Sequence, residues 1–413
     1  MANVTRRIGL SLGADICWPI CYEELFRQLK LSIPHDKDKL SFEVERINIE
    51  PFNLQQPVKY DVVIDRVTHW YHMSREWIKK AILMNDIYVF NNPWTLTSME
   101  KHTSYCAMMR LGFPVPETWL IPPKEYVESA DLQATLSRYA KLFDLGAIGD
   151  KIGYPQFMKP YDGGAWVGVT AIKDRDALNK AYDSSGTRVM HLQQGVKNHD
   201  AFVRCIGLGP QWRCVNYDPD APLHDRYRMD IDFLPTPEQK KLQDMTMVIN
   251  AFFSWDFNSC ESLRSNGEWA LIDFANACPD SQVTSLHYHF PWLIKANLRW
   301  SIFCAANKRK VNPNLDWHEY FKIADTDKPF DEKLAGYVKI ARKRFEIEKF
   351  EEFCAKHLSH LDEIAYEFFG SETVRDAIRQ KVTALYPQHE IDEFTELFWQ
   401  RIQDWRSKEG AAV

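Results

Sequence analysis

Three features of this 413-residue chain predict a mixed protein, α/β at its start, α+β in its middle and helical at its end. From residue 7 to about 90, short apolar runs take turns with helical periods. From about 115 to 280, strand-like runs are joined by turns carrying glycine, and after about 290 apolar residues recur at threes and fours. Strands alternating with helices imply a largely parallel sheet, whose ligands lie beyond the carboxyl ends of its strands.

The first layer reads in order as strand RIGLSLGA, helix CYEELFRQLKL, strands FEVERINI and YDVVIDRV, helix REWIKKAILMN and strand DIYVFNN. It lacks the GxGxxG of a dinucleotide site. Thr97 and Glu100 then form a capping box for a helix with Tyr105, Met108, Met109 and Leu111 on its apolar face, and Gly112 ends it ahead of Phe113-Pro114. Lys101 falls in the first turn of that helix, where a cation opposes the dipole. It therefore either points into solvent or is held to meet an anion.

VPETWLIPP (115–123) reads as a strand, and 124–146 as one or two amphipathic helices. YPQFMKP presents Lys159 on a strand, and residues 161–169 return as a hairpin with Gly163, Gly164 and Gly168. Glycine allows a phosphate to approach the backbone closely and lets N–H groups turn inward. A plain hairpin is the alternative. A helix, KDRDALNKAYDSS, follows, then the strand VMHLQQGV, then a hairpin of AFVRCIGLG and QWRCVNYDP bearing Arg204 and Arg213. The polar stretch 218–230 reads as a covering loop whose Arg226 and Arg228 either reach a phosphate or carboxylate or form a solvated charge cluster. Glu261, Asp273 and Asn276 come late, in SCESLRSNGEWALIDFANACPD (259–280).

Beyond residue 285, His287 and His289 in LHYHFPWLIK have a spacing that could present two ligands on one strand face, but no third ligand follows with zinc-like spacing, so they read as packed core histidines. Helical patterns follow in PWLIKANLRWSIFCAA, DEKLAGYVKIARKRFEIEKFEEFCAKHL and EIDEFTELFWQRIQDW. The middle one carries Leu334, Tyr337, Val338, Ala341 and Phe345 as its apolar stripe.

Composition sets limits. Apolar residues make up 45% and charged residues 26%, as in an ordinary globular protein. A net charge of −6 gives no general attraction to nucleic acid or an anionic membrane, so neither is expected as a partner. Asp15 and Pro19 interrupt the apolar run that an export signal would need after Arg6 and Arg7, and no stretch approaches the ~18 apolar residues of a membrane span. The 9 cysteines are scattered without CxxC pairs, which suits a reducing cytosol and a cytoplasmic location. Cys17 and Cys21 read as small buried hydrophobes.

Taken together, Lys101 in its entry segment, KP at Lys159 ahead of a glycine-rich hairpin, and the late Glu261, Asp273 and Asn276 resemble the ATP-grasp superfamily, in particular its ribosomal-protein glutamate ligase and D-alanine:D-alanine ligase branches. The similarity covers about residues 60–285. It implies an ATP-grasp fold with an N-terminal α/β domain (1–95), a subdomain with the glycine-rich hairpin (96–190), a subdomain with metal-binding strands (191–285) and a helical extension (286–413). It implies that Lys101, Lys159, Gly163 and Gly164 hold nucleotide phosphates, that Gln193, Gln194, Gly195 and Val196 form the hinge that reads adenine, and that Asp200 contacts the ribose. Glu261, Asp273 and Asn276 would bind Mg²⁺, two ions in all, and Arg213, with Arg226 and Arg228 as alternates, would stabilise a developing oxyanion. One departure is DFAN, which spaces Asp273 and Asn276 three apart where the family uses two. A β-bulge at Phe274 or Ala275 would restore a common direction, and Asp280 is the substitute.

The implied activity is an ATP-dependent ligase that converts a substrate carboxylate into an acyl phosphate and couples it to an amine, with an amino acid or peptide as substrate. A phosphotransferase and a nucleotide-binding scaffold without turnover are the alternatives. The helical extension would shape the substrate pocket or a homodimer interface.

Overall fold

The computed structural model describes residues 3–13, 15–35, 38–68, 71–97, 101–162, 164, 166–276, 278–312 and 314–410. The chain divides into two compact units, the first built from Met1–Thr97, Arg204–Ser259 and Ala277–Val413, the second from Ser98–Val203 and Cys260–Asn276. The capping box at 97–100 and Gly163 lie outside the residues whose side chains are described.

The first unit opens on a five-stranded sheet of β1 (Asn3–Ser11), β2 (Ile33–His35), β3 (Asp38–Arg46), β4 (Val62–Asp65) and β5 (Tyr88–Phe90), in the order β2-β3-β1-β4-β5. β1 runs parallel to β3 and β4, and β4 to β5, with β2 antiparallel at one edge. The alternation of strand and helix in the sequence thus gives the parallel sheet it predicts. A parallel sheet must be covered on both faces, and Ile8, Leu10, Val62, Val63 and Ile64 are all buried. α1 (Cys17–Leu29) and α2 (His72–Asn85) connect strands of this sheet, and α3 (Pro93–Thr97) follows β5. Trp77, Ile78, Ala81 and Ile82 of α2 pack with Val63 and Val89, and Cys17 and Cys21 are buried in α1 as expected.

In the second unit, α4 (Lys101–Arg110) ends in a left-handed Gly112 at φ 83°. Phe113 N–H donates to Met108 O at 2.9 Å and Gly112 N–H to Met109 O at 3.0 Å, which closes the helix end. Then come β6 (Thr118–Ile121), α5 (Leu132–Tyr139), α6 (Leu145–Ile152), β7 (Gln156–Pro160), β8 (Thr170–Ile172), α7 (Arg175–Asp183) and β9 (Met190–Gln194). The strands form an antiparallel sheet in the order β6-β9-β7-β8. Side chains alternate across a strand, so Ile121, Met158, Ile172, Met190 and Leu192 share one face, where they meet Leu145, Ile152 and Leu178 of α6 and α7. The opposite face carries Lys159, His191 and Gln193. The segment after Lys159 leads into β8, which pairs antiparallel with β7 as the expected hairpin requires, but the return strand starts only at Thr170, after Trp166 at φ 62° and Gly168 at φ 76°.

β10 (His199–Leu208), β11 (Gln211–Asn216), β12 (Phe257–Ser265) and β13 (Glu268–Asn276) form a four-stranded sheet ordered β11-β10-β12-β13, and the division between the units falls within β10 and β12. Asn266 and Gly267, at φ 52° and 79°, make the two-residue turn from β12 to β13, the left-handed pair that such a hairpin favours.

The rest of the first unit is helical: α8 (Thr236–Phe253), α9 (Val283–Leu286), α10 (Phe290–Ala306), α11 (Trp317–Ala324), α12 (Phe330–Phe345), α13 (Ile347–His357), α14 (Leu361–Phe368), α15 (Glu372–Thr383) and α16 (Ile391–Trp405), then a π-helical turn, Arg406–Gly410. The long middle helix of the sequence reading is two helices, separated by Glu346 in a left-handed conformation at φ 50°. His287–His289 form a short 3-10 turn rather than a strand, and both histidines are buried. α1 packs against α10, α14 and α15, and its Tyr22 hydroxyl meets Ser301 Oγ at 2.7 Å. Among the described residues, no helix is long and apolar enough to cross a membrane.

Candidate functional site

The polar face of the second unit's sheet supplies the candidate site. β7 and β9 pair so that Lys159 lies opposite His191 and Phe157 opposite Gln193. Opposed side chains share a face, so Lys159, His191 and Gln193 project together on the side away from the Met158 core. Lys159 Nζ donates to Gln193 Oε1 at 2.7 Å and to Ile272 O on β13 at 3.1 Å.

Helix α4 brings a second ammonium. Lys101 is its first residue, and its side chain is 6% exposed where a solvated lysine would be open. Its Nζ pairs with Asp273 Oδ2 at 2.5 Å. Of the two readings of Lys101, the inward one holds. Tyr105, one turn on, donates its hydroxyl to Ile272 O at 2.9 Å and stands edge-on to His191 and Phe274.

The electrostatics tie these groups into one cluster. Burial pushes the Lys159 ammonium down to about 8; Asp273 and Glu261 partly restore it, and Lys101 opposes it. Lys101, Asp273 and Glu261 therefore all act on Lys159 inside the same unit. His191 is pushed down to about 3 by burial, then by His102, Lys159 and Lys101, so it is neutral in the working range. Its Nε2 lies 3.3 Å from His102 Nδ1 with the two rings stacked, while its buried Nδ1 has no hydrogen-bond partner among the described residues. Burial raises the Tyr105 hydroxyl well above its ordinary value, with Asp273 adding to the effect.

Glu261 is buried on β12, and Asn276 ends β13 half-buried. Along β13, exposure alternates from Glu268 to Ile272 and then slips by one: Asp273 is half-buried beside Ile272, and Phe274 and Ala275 are both buried. An all-oxygen set of two carboxylates and an amide suits Mg²⁺ by its chemistry. Asp280 belongs to the other unit, where its Oδ1 accepts from Gln282 N–H at 3.0 Å.

The expected adenine hinge leaves β9 as Gln194-Gly195-Val196. Gln194 is exposed with its Nε2 3.3 Å from Ile152 O, Gly195 N–H donates to Pro155 O at 2.9 Å, and Val196 is half-buried. A Cβ on Gly195 would stand 2.7 Å from that same carbonyl oxygen. Asp200 is exposed and gripped by Arg264 Nε and Nη2 at 3.0 and 3.1 Å, which holds it below the usual carboxylate range. Gly164 lies in the open loop, with nothing within 4 Å of an added Cβ.

The three arginines expected near the chemistry all belong to the first unit. Arg213 on β11 donates from Nε to His289 Nδ1 at 3.1 Å and from its two terminal nitrogens to Glu409 at 2.7 and 2.5 Å. Arg226 Nε donates to Ala221 O at 3.1 Å, and Arg228 pairs with Asp218 at 2.5 Å on the surface. His102, Tyr105 and His191 were not singled out for function. His191 could have been found by counting strand parity from Gln193, since residues two apart share a face.

No protein-family model matches the chain. Among solved structures, the chain is similar to a RimK domain protein ATP-grasp from Sphaerobacter thermophilus, at 13% identity and TM-score 0.44, over 66% of this chain and 92% of that one. It is similar to the D-alanine–D-alanine ligase from Bacillus anthracis complexed with ATP, at 12% identity and TM-score 0.45, over 83% and 99%. The VanG D-Ala:D-Ser ligase from Enterococcus faecalis matches at 12% identity and TM-score 0.45, over 82% and 100%.

Proposed function

We propose that the second unit binds the triphosphate of ATP and that the protein is an ATP-dependent carboxylate:amine ligase. The observation that supports this reading is the convergence of two buried ammonium groups, Lys101 on α4 and Lys159 on β7, with Asp273 on β13 and Glu261 on β12. Two cations brought out of water beside acidic groups are poised to take phosphate oxygens, because charge-assisted contacts in a desolvated site are strong. Lys159 and Lys101 would hold phosphate, and Glu261, Asp273 and Asn276 would hold Mg²⁺, which when bound offsets the charge on the transferring phosphoryl group. Gly163 and Gly164 would let a phosphate lie close to the backbone, and Gln193, Gln194, Val196 and Asp200 would receive the nucleoside.

In the reaction, a carboxylate oxygen of the substrate attacks the γ-phosphorus, the bond to the β-phosphate oxygen breaks, and ADP leaves. An amine nitrogen then attacks the acyl carbon, the carbon–oxygen bond to phosphate breaks, the amine gives up a proton, and amide and phosphate result. Arg213, Arg226 and Arg228 stay within the proposal as candidates to steady the oxyanion between those two events. No nucleophilic side chain is required.

Hydroxylamine tests the reaction class, because it traps an acyl phosphate as a hydroxamate. Mg²⁺-dependent ADP release accompanied by hydroxamate, across a panel of amino acids and short peptides, is the expected result. ADP release without hydroxamate from any carboxylate that supports turnover would point to phosphotransfer instead, and tight ATP binding without turnover across the panel to a scaffold.

A further inference from the structure

Glu409 lies on the π-helical turn that follows α16, and its carboxylate takes both terminal nitrogens of Arg213 at 2.7 and 2.5 Å. The guanidinium is fixed from its other edge. Arg213 Nε donates to His289 Nδ1 at 3.1 Å, and His289 Nε2 in turn meets Arg228 O at 2.8 Å. That chain of contacts requires His289 to be neutral with its proton on Nε2, and burial followed by the nearby Arg213 charge pushes it down to about 3. His289 is therefore an acceptor toward Arg213 throughout the working range. His289 thus holds the guanidinium of Arg213 from the edge opposite Glu409.

The turn that carries Glu409 has its own anchors. Arg406 Nε donates to Tyr366 O at 2.8 Å and its Nη1 to Gln403 Oε1 at 2.8 Å, with the guanidinium 4.4 Å from the centre of the Tyr366 ring. Ser407 Oγ donates to Asp404 O at 2.9 Å. Each half of the Arg213–Glu409 pair thus has anchoring contacts besides the other. A plain structural staple would join two parts that otherwise lack anchors, and here both have them. The pair is not sealed from solvent: the two side chains are 13% and 21% exposed.

We propose that Arg213, oriented by His289, is a binding site for the carboxylate of a small molecule, and that Glu409 is its resident occupant supplied by the chain itself. Taking a largely buried guanidinium away from its counterion is costly, so when Glu409 is removed the planar fork accepts another carboxylate in the same two-bond geometry. The site lies wholly within the first unit. It does not depend on the triphosphate reading, and either can fail without the other.

The test is calorimetric titration of acetate and of glycine into the full chain, into Glu409→Gln, and into a chain ended at Lys408, with chloride as the control anion. Glu409→Gln and the shortened chain should bind acetate roughly ten- to hundredfold more tightly than the unaltered protein, the range expected for hydrogen bonds to a charged group. Adding Arg213→Lys to Glu409→Gln should remove that gain, because an ammonium cannot offer the fork, and chloride should not reproduce it. Two outcomes overturn the proposal. One is a folded Glu409→Gln protein whose acetate affinity equals that of the unaltered chain. The other is unfolding of both altered chains without recovery in acetate, which would make the pair a staple after all.

Discussion

Lys159 carries the strongest electrostatic signature of the proposed phosphate site, because burial brings its ammonium down to about 8. A bound triphosphate favours the charged form and raises that value, so binding draws a proton in wherever free Lys159 is partly neutral. Affinity for ATP should accordingly be greatest below pH 8 and decline as the pH rises through and beyond it. Calorimetry in buffers of different ionisation enthalpy, run near pH 8.5, should register proton uptake. Lys159→Met should lose both the pH trend and about ten- to hundredfold in affinity. Asp273 has a second duty that the sequence did not disclose. Asp273→Ala should abolish turnover, and because the carboxylate also neutralises buried Lys101 at 2.5 Å it should affect folding too. Its removal strands that ammonium and should cost about 2–3 kcal/mol, less than for a wholly buried pair because Asp273 is 19% exposed. Lys101→Met together with Asp273→Leu should recover most of that loss in urea unfolding, while each remains unable to support turnover. Full recovery of ATP turnover in the double variant would contradict the roles given to both.

How far the elements could be read from the sequence depended on whether local chemistry marked them. The strand–helix alternation up to Phe90 gave the parallel sheet because nothing there competes with periodicity, and Gly112 marked the end of α4 because its φ of 83° suits glycine. Gly112→Ala should therefore cost about 1 kcal/mol in thermal unfolding and loosen the helix that presents Lys101. Asn266-Gly267 closes the β12–β13 hairpin with the left-handed pair such turns favour, a signal the sequence carried but that was not read. α8 went unrecognised because Thr246 and Asn250 sit wholly inside, which blurs the apolar stripe that announces a helix. The break at Glu346 left no trace, since glutamate carries no signal for a left-handed residue. In His287-Tyr288-His289 the alternating aromatic types imitated a strand where the chain makes a tight helical turn. The glycine-bearing hairpin after Lys159 was legible, but its return strand starts later than the sequence suggested, at Thr170, because Trp166 and Gly168 adopt positive φ just before it.

Assembly over long separations was the least legible property, since Lys101 and Asp273 are 172 residues apart and only their order along the chain hinted at their meeting. The order and types of Lys101, Lys159, Glu261 and Asp273 were readable; the neutral His191 and the Tyr105 hydroxyl beside them needed the sheet register. The engagement of Arg213 by Glu409 spans 196 residues and had no signature at all. The late helices also prove integral to the first unit, where α10 packs on β1 and β4 and Tyr22 of α1 meets Ser301. A chain ended at residue 285 would leave Trp18, Tyr22 and Leu25 of α1 without that cover, so it should lose near-ultraviolet circular dichroism and aggregate. The central claim is that two buried lysines receive the triphosphate, and the most direct measurement is calorimetric titration of ATP with Mg²⁺ into the unaltered chain and into Lys101→Met/Lys159→Met. Saturable binding to the former and its loss in a folded double variant is the predicted result. Equal affinity in both, or no binding to the unaltered chain, would contradict it.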